Sequence, residues 1–332
     1  MTRKLFTIRS IQLLAILFAF ASCKKEELFT HLEGNALGTT FSIKYNASEN
    51  YSGAIDSLFT VINSSLSTYH PKSIISKINQ GDTTQKVDLH FENVFQKANR
   101  IYHETDGAFD PTVGSLVNAW GFGPEKARDN LDSVAIKKIM KGVGFHKLRL
   151  ENLKLKKEND IVFLDFNAVA KGYAVDVIGS FFENEKIQNY MVEIGGEMRV
   201  RGHNHAGNLW KVGIEKPLTD GSRALETTRS LDNQSMATSG NYRKFRIDEN
   251  GKKYVHTINP KTGYTEQNDL LSASVIAALD CADVDAYATA FMVMGFQKTK
   301  EFLVKHRELQ AILIYLDSES KIQVYDSHEL EN

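Results

Sequence analysis

Residues 190–200 read YMVEIGGEMRV, and short alternating stretches follow at Leu209–Glu215, Tyr242–Asp248 and Lys253–Ile258. Apolar residues at every second position predict half-buried strands. Asn250-Gly251, between the last two, predicts a hairpin turn. Strands in succession without intervening helices do not fit a doubly wound parallel sheet, whose neighbours need helical crossovers. Working outward, Gly38–Tyr45 and Leu270–Ala278 read as strands, and residues 311–317 (AILIYLD) and 321–326 (KIQVYD) as strands around a Ser318-Glu319-Ser320 turn. Helical spacing marks Tyr51–Leu66, Phe91–Thr105, Val169–Phe182 and Cys281–Gly295, the last with Asp280 and Asp283 placed as N-cap and N3. The mixture predicts an α+β fold in one large domain, with a mainly antiparallel sheet packed against helices.

The chain has 332 residues, with 40 Lys+Arg against 41 Asp+Glu. A basic excess is missing, which argues against a nucleic-acid partner. Two cysteines, Cys23 and Cys281, exclude a disulfide framework and a Cys-rich zinc site. Arg3, Lys4 and Arg9 precede a short apolar run from Leu13 to Ala21, the form of a secretory signal too short to span a membrane. Phe20-Ala21-Ser22-Cys23 resembles a bacterial lipobox. Residues 1–22 are therefore expected to be a lipoprotein signal peptide, Cys23 the lipidated residue, 23–33 a charged tether and 34–332 the folded domain. That places the protein at the bacterial cell envelope, on the periplasmic side of a membrane or at the cell surface. Cys281, in an apolar stretch, reads as a small buried residue.

Neither common phosphate-binding loop is present, nor a G-x-S-x-G elbow, nor H-E-x-x-H. His203-Asn204-His205 reads as a solvated turn. Chemistry concentrates instead in a few glycine- and acid-bearing segments. Thr105–Thr112 (TDGAFDPT) is a helix stop followed by a turn. Leu164–Asp176 (LDFNAVAKGYAVD) is a strand entering a helix whose first turn carries Lys171. Backbone N–H groups at such an N-terminus suit phosphate oxygens, though a plain strand–helix junction would read the same. Glu193-Ile194-Gly195-Gly196-Glu197 predicts a bulge or a close approach of ligand to backbone. Ser235–Tyr242 (SMATSGNY) and His256–Gly263 (HTINPKTG) flank the hairpin, and His256 is a candidate base. Asp285 and Thr289 stand four apart on one helix face, hard oxygen donors suited to Mg²⁺. A first-turn acid favoured by the helix dipole would look the same.

Together and in this order, these segments resemble the ApbE family, the FAD:protein FMN transferases, from Gly38 to about Phe296. The resemblance implies an ApbE-like (T-fold-like) domain that cleaves FAD with Mg²⁺ and esterifies FMN onto a Thr or Ser of an acceptor protein, such as an extracytoplasmic respiratory-complex subunit. By the same resemblance, FAD contacts fall on Leu37, Tyr69, Ala108, Phe109, Asp110, Asp165, Lys171, His256, Thr257 and Ile258. Metal ligands fall on Ala168 through its backbone oxygen, Asp285 and Thr289. Leu37 stands where the family usually has methionine. His256 is taken as the catalytic base, with Asp285 its rival for the proton. The alternatives are a secreted FAD pyrophosphatase, using water as acceptor, and a non-catalytic FAD-binding lipoprotein.

Overall fold

Described in the computed structural model are residues 28–125, 127, 131–218, 224–241, 245–247, 253–266 and 268–330. In chain order the elements are β1 (Thr30–Ala36), β2 (Thr39–Tyr45), α1 (Ser52–Leu66), α2 (Ile74–Asn79), α3 (Leu89–Glu104), α4 (Gly114–Ala119), α5 (Ser133–Ile139), β3 (Leu148–Glu151), β4 (Lys154–Lys157), α6 (Ala170–Asn184), β5 (Tyr190–Ile194), β6 (Glu197–Arg201), β7 (Trp210–Glu215), β8 (Leu225–Leu231), β9 (Ser235–Gly240), β10 (Phe245–Ile247), β11 (Lys253–Val255), β12 (Leu270–Ala277), α7 (Cys281–Lys305), β13 (Gln310–Leu316) and β14 (Ile322–Asp326).

Eight strands form one sheet in the order β1-β2-β5-β6-β9-β12-β13-β14, and every neighbouring pair is antiparallel. The period of two along each strand gives the sheet two apolar faces. Val192, Ile194, Ala237, Ala273, Val275 and Leu313 join the main core, which α6 and α7 cover. On the other face Met198, Val200, Met236, Ile276 and Ile312 pack against Trp210, Val212 and Ile214 of β7 and Leu231 of β8. A third, small core gathers Leu116 and Ala119 of α4, Ile136 and Ile139 of α5, Val143 and Ile258. The α+β expectation matches this architecture.

Several local expectations change. The stretch 190–200 is two strands, because Gly195 and Gly196 take φ of +64° and +106° and turn the chain back as a hairpin rather than a bulge. β1 begins at Thr30, inside the segment expected to be tether, and pairs with β2 along its length. Residues 161–166 form no strand, only an isolated bridge between Phe163 and Val113. Asp280 sits at the N-cap of α7 without a side-chain cap bond. The N–H groups of Cys281 and Ala282 donate to Asp176 of α6 instead, at 2.7 and 2.9 Å. Helix α7 runs ten residues past Gly295, across a break where that glycine has φ +75°. Cys281 is buried, as expected. β10 and β11 pair antiparallel, while the Asn250-Gly251 turn, the signal segment and Cys23 lie outside the described residues.

Candidate active site

The ladder between β6 and β9 holds only Met198↔Met236 and Arg199↔Ser235, so Ala237–Gly240 run on beyond it beside β12. At this end of the sheet stand the Gly195-Gly196 turn and the first turn of α6. The face of α7 that carries Asp285 and Thr289 packs over them. Gly172 lets the two helices touch: a Cβ there would lie 2.4 Å from the Cys281 carbonyl oxygen. The close approach lets Asp285 Oδ2 accept the Gly172 N–H at 3.2 Å.

Three charged side chains meet in this seam. Lys171 Nζ lies 2.8 Å from Glu197 Oε1 and 3.9 Å from Asp285 Oδ2. Glu197 is 3% exposed and Asp285 2%. Burial pushes the Glu197 carboxyl up to about 7, against the pull of Lys171. Burial also raises Asp285, opposed by Lys171 and the Gly172 N–H. For Lys171 burial works against the charge, yet Asp285 and Glu197 outweigh it and hold the ammonium above its ordinary range. Thr289, one turn beyond Asp285, has its hydroxyl 3.3 Å from that of Ser239 on β9.

A second group converges nearby. Asp165 donates its N–H to the Pro111 carbonyl at 2.8 Å and accepts from the Asn167 N–H at 2.8 Å. Its carboxyl is pushed up to about 6 by burial. Tyr69, 59% exposed, donates to the Phe122 carbonyl at 3.5 Å. Its hydroxyl is raised by burial and by the nearby Asp165 carboxylate. The Phe122 ring in turn stands edge-on to His256, with centroids 6.4 Å apart. Tyr69, Asp165, Phe122 and His256 therefore line one region, and the 165–171 segment connects it to the charged seam.

The remaining expected residues sort by burial. Leu37, with φ +50°, sits in the β1–β2 turn at the same sheet end as Gly195, whose N–H donates to Thr40. Ala108 and Phe109 belong to the main core, so a ligand there would meet their backbone. Asp110 is buried and accepts from the N–H and hydroxyl of Thr112, fixing its own turn. Thr257 is buried and donates to Asn241 at 2.7 Å, and Ile258 lies in the small core. Ala168 precedes α6 by two residues.

Sequence reasoning gave no role to Glu197, Phe122 or Asn118. Asn118 is 4% exposed, and neither polar atom of its carboxamide has a partner. Its one visible signal was a polar residue on the inward face of a short apolar helix.

These donors bear on the Mg²⁺ that the resemblance implies. Glu197 Oε2 is buried without a hydrogen-bond partner, and two acids stand against one lysine, so the seam holds one acid more than its lysine can pair. Among the described residues no group of three His, Cys, Asp or Glu converges. The set that the resemblance implies, Asp285 with the Thr289 hydroxyl and the Ala168 carbonyl, is made of oxygen donors only. Such a hard oxygen set fits Mg²⁺.

A sequence model of the ApbE family matches residues 37–313. The chain belongs to the ApbE family. Every segment singled out above, from Leu37 to Thr289, lies inside the matched span. The FAD:protein FMN transferase of Haemophilus influenzae is 36% identical over 94% of this chain and 94% of its own. That of Escherichia coli K12 is 32% identical over 93% of each. Among solved ApbE structures, the flavin transferase of Vibrio cholerae superposes with a TM-score of 0.81 at 32% identity, covering 92% of this chain and 98% of its own.

Proposed function

We propose that this ApbE-family chain transfers the FMN half of FAD to a Thr or Ser hydroxyl of an acceptor protein and releases AMP. The observation that carries the reading is the buried Lys171–Glu197–Asp285 seam at the head of α6, in a chain whose relatives are FAD:protein FMN transferases. The acceptor oxygen attacks the FMN phosphorus. The bond from that phosphorus to the bridging oxygen breaks, and the bridging oxygen leaves with AMP. A phosphoester joins FMN to the acceptor, and the hydroxyl proton passes to His256.

The pyrophosphate of FAD is doubly anionic, and the Lys171 ammonium at the head of α6, with the positive end of the helix dipole behind it, meets that charge. Tyr69, Phe122 and His256 supply flat surfaces beside it for a ring system. When held by Ala168, Asp285 and Thr289, Mg²⁺ would neutralise charge developing on the leaving phosphate. His256, Tyr69, Asp165 and Lys171 orient the two halves of FAD around that phosphorus. The lipobox-like Phe20-Ala21-Ser22-Cys23 supports a reading in which a lipid anchor at Cys23 holds the enzyme at the cell envelope, beside an extracytoplasmic acceptor.

Incubation with FAD, Mg²⁺ and a candidate acceptor, followed by mass spectrometry of the acceptor, tests the reading. The acceptor should gain the mass of one FMN less one water as AMP appears. FMN and AMP accumulating while the acceptor stays unmodified would make the chain a pyrophosphatase.

A further inference from the structure

Glu197 is the one member of the charged seam with no part in the chemistry above. We propose that Glu197 is a positioning residue that holds the Lys171 ammonium off Asp285, so that Asp285 keeps a carboxylate available to a divalent cation. The inference rests on the metal reading given under the proposed function.

The geometry sets the preference. Lys171 Nζ reaches Glu197 at 2.8 Å, a hydrogen-bonded ion pair, and stays 3.9 Å from Asp285. The three groups stand on three different elements. Glu197 opens β6 directly after a pinned turn, in which Glu193 Oε1 accepts the Gly196 N–H at 2.6 Å and the Gly195 N–H donates to Thr40 at 2.9 Å. Its carboxylate is thus fixed to the sheet, while Lys171 rides on α6 and Asp285 on α7.

Charge explains why such a holder is needed. A lysine and a metal-binding carboxylate side by side in a buried seam would close into a neutral pair. A cation would then have to displace the ammonium. A second acid gives the lysine another partner and, with both acids ionised as a cation arrives, leaves one negative charge over for that cation. An ion pair with a purely structural role would satisfy both carboxylate oxygens, since bare buried charge is costly. Glu197 Oε2 has no such partner.

The test uses the purified protein with Mn²⁺ as the probe, bound metal being read from the loss of the free-Mn²⁺ electron-spin-resonance signal, without flavin and without turnover. Glu197→Gln keeps the shape and should weaken Mn²⁺ by about 10- to 100-fold, the range found for groups that support metal ligands. Adding Lys171→Met to Glu197→Gln removes the competitor and should restore most of the lost affinity, a coupling a double-mutant cycle measures directly. Circular dichroism melts check that each variant is folded. Unchanged Mn²⁺ affinity in folded Glu197→Gln overturns the inference. So does a double variant as weak as the single one, because Glu197 would then be a ligand itself. Asp285→Asn is the control: if it binds Mn²⁺ like the wild type, the metal reading fails and this inference falls with it.

Discussion

Asp285 Oδ2 accepts the backbone N–H of Gly172 at 3.2 Å, so the acid of α7 is seated on the first turn of α6. The contact exists because position 172 has no side chain. A Cβ there would meet the Cys281 carbonyl oxygen at 2.4 Å and the Ala282 Cα at 2.8 Å, both backbone atoms that cannot swing aside. In open space Gly→Ala inside a helix would stabilise by about 1 kcal/mol. Here Gly172→Ala should destabilise by about 2–3 kcal/mol through overpacking and move Asp285 off its seat. Denaturant unfolding measures the first effect and Mg²⁺-dependent FAD cleavage the second. A variant as stable as the wild type would show that the helices separate freely.

The fold class was legible because, among the described residues from Tyr190 to Val255, strands follow one another without helices, a pattern that favours antiparallel pairing. β1 was not legible: THLEGNA carries one aliphatic residue of any size, and its strand character comes from pairing with β2. Asp285 and Thr289 could be read as a pair since helical spacing alone puts them on one face. Glu197 could not, because its meeting with Lys171 and Asp285 depends on how a sheet and two helices pack. The cap of α7 failed for the same reason: local spacing pointed to Asp280, while the accepting carboxylate is Asp176, far away in sequence.

The raised carboxyl of Asp165 makes stability depend on pH. Its folded pKa is about 6 against an ordinary value of 3.8. Between those values the folded chain binds a proton that the unfolded chain has lost, so stability falls as pH rises from about 4 to about 6. Asp165→Asn keeps an oxygen for the Asn167 N–H and removes the ionisation. The variant should match the wild type near pH 4 and exceed it by about 1–2 kcal/mol at pH 7.5, a figure discounted for the partial exposure of the site. Urea titrations at the two pH values decide it: a constant difference would mean that Asp165 titrates normally.

Asn118 buries a carboxamide with no partner at either atom. It lies one helical turn from Gly114, which packs against the Asp165 side chain. Replacing an unsatisfied buried carboxamide by an apolar side chain of the same branching should stabilise the ligand-free chain, by about 1 kcal/mol for Asn118→Leu once the larger methyl groups are accommodated. If the carboxamide serves the ligand, FAD affinity should fall in the same variant. A higher melting temperature with unchanged FAD affinity would remove Asn118 from the binding site.

Cys23 should carry the lipid anchor. Cys23→Ala should move the protein from the membrane fraction to the soluble fraction, since a multi-chain lipid anchor is otherwise stable. Retention of the variant in the membrane, with no lipid mass on the wild-type N-terminus, would sink the lipoprotein reading.

The transfer step turns on His256. An acceptor hydroxyl is a weak nucleophile at neutral pH and needs a base beside it. His256 directly follows β11, edge-on to Phe122, which also anchors the Tyr69 hydroxyl. The proposed base and a plain binding contact would both sit at this position beside Phe122. The two roles separate in kinetics. As a base, His256→Asn should keep its FAD affinity and lose about 100-fold or more in single-turnover FMN transfer at saturating FAD. As a binding contact, it should lose affinity while transfer at saturation stays near normal. Fluorescence titration of FAD gives the first quantity and rapid-quench mass spectrometry of the acceptor the second. Weakened binding with normal saturated transfer would place the base elsewhere in the site.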